Sequence, residues 1–131
     1  MPEGARLIAL TKHADARGSL VVAEQESLPF TVPRVRWIYG VAPGAMRGGH
    51  AHRRTEQLFV AVAGRATALT FDGRGETRWS LDDPATALYV PPMIWVELHD
   101  FSADAVVLLL SSTVFEESDY VRERAIVVAN R

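Results

Sequence analysis

The segment Gln57–Leu81, QLFVAVAGRATALTFDGRGETRWSL, decides the fold. Its runs Gln57–Val62, Ala66–Phe71 and Thr77–Leu81 are short, rich in β-branched, apolar and aromatic residues, and of strand rather than helix length. Gly64 and Asp72-Gly73 separate them with the residues that tight turns require, so the segment reads as two successive β-hairpins. Outward from it, Leu7–Leu10, Ser19–Ala23 and Val35–Tyr39 precede, and Ala87–Val90, Ile94–Leu98 and Ala105–Ser111 follow, with Asp83-Pro84 opening another turn. Short runs recurring at about ten-residue intervals predict an all-β sandwich or barrel. No stretch holds a 3.6-residue period for three turns. The best helical candidate is Glu116–Glu123, whose acidic start suits a helix N-terminus.

A chain of 131 residues is the size of one domain spanning residues 1–131. A domain of this mass hides roughly two thirds of its unfolded surface, enough for a real core. With 48% hydrophobic and 23% charged residues it lies in the globular range, away from disorder. Fourteen basic and 16 acidic residues leave a net charge of −2 with no basic run, which argues against a nucleic-acid partner. Apolar stretches such as Ala105–Leu110 are strand-sized, so no membrane span is expected and the chain reads as cytoplasmic. With no cysteine, the reactive side chains are imidazole and oxygen groups.

Arg47-Gly48-Gly49-His50-Ala51-His52 carries the chemistry. On a strand, residues 50 and 52 share a face at a spacing of about 6 to 7 Å. Imidazole titrates near pH ~6.5, so the pair offers a base and an acid at neutral pH, or two nitrogen ligands. The other two histidines read differently: His13 lies among solvated turn residues and His99 reads as a paired structural histidine. Trp37, Trp79 and Trp95 read as packing residues.

The spacing Gly44, His50, His52, Gln57, Gly64 resembles the first motif of the cupin superfamily, which implies a jelly-roll barrel with both histidines pointing inward. The second cupin motif is represented by Pro91-Pro92-Met93-Ile94-Trp95-Val96, where valine stands at the position of the last metal ligand. Two histidines, a neutral Gln57 and Val96 make a poor donor set for a transition ion, so no metal is expected.

Five blocks together are more specific than the paired histidines: Asp15-Ala16-Arg17-Gly18-Ser19-Leu20, Pro29-Phe30 with Arg34-Val35, Arg47 to Gln57, Trp95 with Glu97 to Ser102, and Glu117 to Arg122. In this order, over about residues 11–124, they resemble the cupin sugar-nucleotide 3,4-ketoisomerases. The resemblance implies an isomerase that moves the ketone of a dTDP-4-keto-6-deoxyhexose from C4 to C3 without a cofactor, working as a strand-exchanged homodimer. His50 and His52 match the family's active-site histidines, and Arg47 its preceding arginine. Arg17 is expected against the diphosphate, Tyr39 near the enediolate or the ring, and Gln57 as an anchoring hydrogen-bond group. Val96, where the family tends to have histidine, and Arg36-Trp37, where it tends to have tyrosine, are departures. A non-catalytic sugar-nucleotide-binding cupin and a nucleotide-sugar epimerase stand as alternatives, and the Asp119-Tyr120 pair is a candidate for docking on a partner subunit.

Overall fold

A computed structural model describes residues 4–131. Twelve strands form: β1 (Arg6–Ala9), β2 (Thr11–Asp15), β3 (Gly18–Val22), β4 (Arg34–Tyr39), β5 (Arg47–His52), β6 (Gln57–Ala63), β7 (Ala66–Phe71), β8 (Glu76–Leu81), β9 (Thr86–Val90), β10 (Trp95–His99), β11 (Val106–Ser111) and β12 (Tyr120–Val121). One helix, α1 (Arg124–Asn130), follows them. Two five-stranded antiparallel sheets, β1-β9-β6-β11-β4 and β12-β5-β10-β7-β8, face one another as a cupin-type jelly roll, and β2-β3 make a separate hairpin.

Alternation along the strands builds three apolar layers. Phe59 and Ala61 point between the sheets with Leu88, Val96, Leu98, Val107 and Leu109, forming the central core. Their neighbours Leu58 and Val60 point outward, where Tyr89, Leu110 and Phe30 cover them. Both faces of β6 are therefore buried, which is why this run is continuously apolar rather than alternating. On the outside of the second sheet, Val127 of α1 packs on Ala51, Trp95 and Val121.

Three local expectations are corrected. Gly64 does not turn a hairpin: β6 pairs with β9 and β11, β7 pairs with β8 and β10, so residues 63–66 carry the chain from one sheet to the other. Gly64 has φ +61°, and a Cβ there would come within 2.8 Å of the Ala105 Cα and closer still to Ser102 and Asp104. Asp72-Gly73 does turn the β7–β8 hairpin, with Asp72 Oδ1 accepting from the amides of Arg74 and Gly75. The helix lies at Arg124–Asn130 rather than at Glu116–Glu123. The acidic segment instead makes a single 3-10 turn at Glu117–Asp119 and enters β12, because Tyr120 and Val121 pair with His52 and Ala51. His13, expected among solvated turn residues, is solvated but lies on the exposed strand β2.

Candidate active site

The histidines sit on β5, an inner neighbour of the short edge strand β12. His50 lies opposite Val96, whose side chain belongs to the central core, so His50 faces the interior of the barrel as the period-two reading requires. A β-bulge at Gly48-Gly49 precedes it, with Val96 opposite His50 and Glu97 opposite Gly48. Gly48 adopts φ +86°, and a Cβ on it would lie 2.9 Å from the Val96 carbonyl oxygen. Only glycine fits that approach without displacement.

The two imidazoles stand edge to face with centroids 5.1 Å apart. Tyr120 packs against both, its ring centroid 4.8 Å from His50 and 4.5 Å from His52. Asp119, the residue before it, is 2% exposed, and its Oδ2 accepts from His52 Nδ1 at 2.9 Å. The same carboxylate accepts from the Thr55 hydroxyl and, at 2.7 Å, from the Arg54 amide. Because an ionised carboxylate only accepts, Thr55 donates to it and Thr113 in turn donates to Thr55, at 2.7 Å. Asp119 thus completes the site of its own chain, and the expectation that it docks on a partner is corrected.

Electrostatics separates the two rings. Burial pushes the His50 pKa down to about 4, with His52, Arg122 and Arg36 adding in the same direction. Burial also lowers His52, but the hydrogen bond and charge of Asp119 work against that shift. Asp119 is itself held below the ordinary carboxylate value: burial would raise it, and the hydrogen bonds from Thr55, His52 and Arg54 outweigh burial. At neutral pH both rings are therefore uncharged. The carboxylate accepts from Nδ1–H, so the free lone pair of His52 is on Nε2, a buried atom with no hydrogen-bond partner.

Across the seam, β4 is the edge strand of the other sheet. Arg36 lies opposite Leu109 of the central core and so points inward, toward Tyr120 and the imidazoles. Gln57, Ser111 and Arg34 form one inward-facing row on β6, β11 and β4, and Gln57 is buried. The structure brings His50, His52 and Gln57 into this end of the barrel, as expected from the sequence. It does not bring the others. Tyr39 lies on the opposite face of β4 and is 71% exposed, because strand parity places it with Trp37 and Val35 rather than with Arg36. Arg17, at the tip of the β2–β3 hairpin, is paired with Asp15 at 2.7 Å and is 91% exposed. Arg47 occupies the exposed start of β5, on the far side of the bulge from His50.

Asp119, Tyr120, Thr55 and Arg36 were missed as site residues by sequence reasoning. Only the Asp-Tyr pair carried a signal, as a polar motif in an apolar-poor stretch. Of the groups near the imidazoles, Asp119 engages one His52 nitrogen and Val96 supplies no donor, and no cluster of three His, Asp or Glu side chains occurs among the described residues. His99 is a paired structural histidine, bound through Nε2 to Glu97 at 2.8 Å on the outer face.

Over residues 3–129 the sequence matches the family described as FdtA: WxcM-like, C-terminal. The chain belongs to the FdtA family. The TDP-4-oxo-6-deoxy-alpha-D-glucose-3,4-oxoisomerase of Aneurinibacillus thermoaerophilus is 40% identical to this FdtA-family chain over 119 residues, 90% of the chain and 86% of the relative. The QdtA sugar 3,4-ketoisomerase of Thermoanaerobacterium thermosaccharolyticum, in complex with TDP, superposes with a TM-score of 0.93 at 30% identity, covering 99% of this chain and 96% of that one. A histidine-to-asparagine mutant of QdtA, in complex with TDP-4-keto-6-deoxyglucose, gives 0.94 at 29% identity, covering 99% and 95%. The FdtA-family chain is an enzyme of the 3,4-ketoisomerase kind, on the jelly roll that its motif implied.

Proposed function

We propose that this chain moves the carbonyl of a TDP-4-keto-6-deoxyhexose from C4 to C3, with His52 as the base. The unpartnered Nε2 of His52, backed through Nδ1 by a buried carboxylate, carries the reading. A hydrogen beside a ketone is acidic because its loss gives an enediolate. His52 Nε2 takes the C3 proton, the C3–H electron pair forms the C3–C4 double bond, and the carbonyl pair moves onto O4. The O3 proton passes to O4 through His50, uncharged and 5.1 Å away, and the His52 imidazolium returns its proton to C4 as the C3 carbonyl forms. Atoms and electrons balance within the substrate. Asp119 holds the tautomer and stabilises the transient imidazolium. Gln57 anchors the sugar by hydrogen bond.

A homodimer is proposed with it. The outer face of the first sheet leaves Val35, Trp37, Tyr39 and Val62 exposed. An apolar groove of about 460 Å³ runs between that face and the β2–β3 hairpin, lined in part by Val21, Leu58, Val60 and Leu108. Exposed apolar area of this kind suits an interface. In such a dimer Arg17, exposed on the hairpin tip beside Asp15, serves the diphosphate in its partner's site rather than its own.

The test is incubation with TDP-4-keto-6-deoxyglucose in heavy water, followed by NMR of the product. The expected result is a 3-keto sugar whose new C4–H holds hydrogen carried over from C3 together with solvent deuterium admitted by exchange of the His52 imidazolium, with turnover lost in His52→Asn while TDP still binds. An inverted carbon with the ketone in place identifies an epimerase. TDP binding without conversion identifies a binding cupin.

A further inference from the structure

A cation stands in the barrel without a counterion. Arg36 enters none of the ion pairs among the described residues. Its Nε is buried and unpartnered, its Nη2 meets the Ser111 hydroxyl at 3.5 Å, and its other polar neighbour is the Tyr120 hydroxyl, so no carboxylate balances the charge. A half-buried guanidinium with no carboxylate and an orphaned donor is costly, and such a charge persists where an anion is supplied from outside. Its surroundings are the reacting ones: Tyr120, which touches both imidazoles, lies against Arg36, and the guanidinium charge depresses both histidines.

We infer that Arg36 is the oxyanion group of this enzyme, its Nε–H donating to the enediolate oxygen that becomes negative when the C3 proton leaves. The assignment rests on the isomerase reading above, since only that chemistry builds an anion beside the imidazoles. Two physical facts favour the reacting oxygen over the diphosphate. Arg36 faces inward from the middle of β4, beside the core residue Leu109, whereas a diphosphate with its nucleoside has to extend out of the barrel. Burial also lowers the tendency of Arg36 to stay charged, with Arg34 adding to it. An anion that forms only in the transition state relieves that penalty at the moment of reaction, the condition for raising turnover rather than binding. Arg34, in the next inward position of β4, already has a partner in the Phe115 ring, 5.5 Å from its guanidinium carbon.

The experiment compares Arg36→Met and Arg36→Lys with wild type. Removing a buried unpaired charge leaves folding intact, so Arg36→Met melts at or above the wild-type temperature. Loss of one oxyanion donor lowers rate by about 100- to 1,000-fold. The expected result is a fall of that size in kcat for Arg36→Met, with KM and the Kd for TDP within about threefold, and an intermediate loss for Arg36→Lys, which keeps charge but not the planar fork. Proton NMR titration should show both imidazoles protonating at higher pH in Arg36→Met. A raised KM with unchanged kcat reassigns Arg36 to the diphosphate and overturns the proposal, as does unchanged kinetics in an active enzyme. Should Arg36→Met fail to fold, an Arg36→Lys enzyme with wild-type kcat overturns it. A wild type without turnover removes the isomerase reading itself, and this assignment with it.

Discussion

His52 and Asp119 are 67 residues apart in the chain, yet their 2.9 Å contact decides which imidazole nitrogen is free. A carboxylate accepting from Nδ1 raises the affinity of the ring for a proton, and burial opposes it. Replacing the carboxylate by an amide removes the opposing term, so the His52 pKa falls further and the acid limb of the rate profile moves to lower pH. It also lets the amide donate to Nδ1, which puts the proton on Nε2 and removes the base. Asp119→Asn is therefore expected to lower kcat by about 100-fold, in the range of general-base contributions, while its residual activity persists to more acidic pH than wild type. Kinetics from pH 4 to 9 check both effects. A variant that only melts earlier, with its limb unmoved, assigns Asp119 a structural role. The paired histidines were legible in the sequence because they are local, two residues apart on one strand. Asp119 was not, since the register of a two-residue strand sets its approach.

At the scale of elements, legibility followed the strength of the local pattern. The apolar runs that became β6, β7, β9 and β11 were read correctly, since burial selects β-branched and aromatic residues whatever their partners. Gly64 was misread because a glycine at positive φ serves a crossover as well as a hairpin, and only long-range pairing distinguishes them. The acidic stretch was misread because Asp119 answers a tertiary demand, that of His52, while Glu117 makes an exposed local pair with Arg122 at 2.9 Å. Tyr39 failed by parity, as one position along β4 separates the outer face from the interior. Among these elements the β5 bulge is the most exacting. Gly48→Ala adds left-handed strain, about 1 to 3 kcal/mol, to a 2.9 Å approach to backbone. The expected outcome is a melting temperature lower by about 4 °C or more and a reduced kcat, because relief of the clash slides His50 off its register with Val96. A variant that melts and turns over like wild type shows that the bulge relaxes freely.

The whole molecule presents two unlike exteriors. The second sheet is covered by α1, whose base Arg124 bridges Glu76 at 2.7 Å and Glu97 at 3.0 Å. Burial would raise Glu97, yet the hydrogen bonds from Trp95, His99 and Arg124 hold it down to about 2, so this side is closed by polar as well as apolar contacts. The first sheet has no such cover over Val35, Trp37 and Tyr39, and Trp37 is 60% exposed. A large aromatic in water on a flat strand face is an anchor without a socket, and aromatics of this kind dominate the energy of interfaces when they find one. Trp37→Asp is remote from the imidazoles, on the other face of β4 from Arg36. Light scattering after gel filtration should give twice the chain mass for wild type and the single mass for Trp37→Asp at micromolar concentration. Because Arg17 is proposed to reach across the dimer, the monomeric variant should also show a raised KM for the TDP-sugar with its secondary structure unchanged. A dimeric Trp37→Asp moves the interface elsewhere, and a monomeric variant with wild-type KM returns Arg17 to a solvated turn.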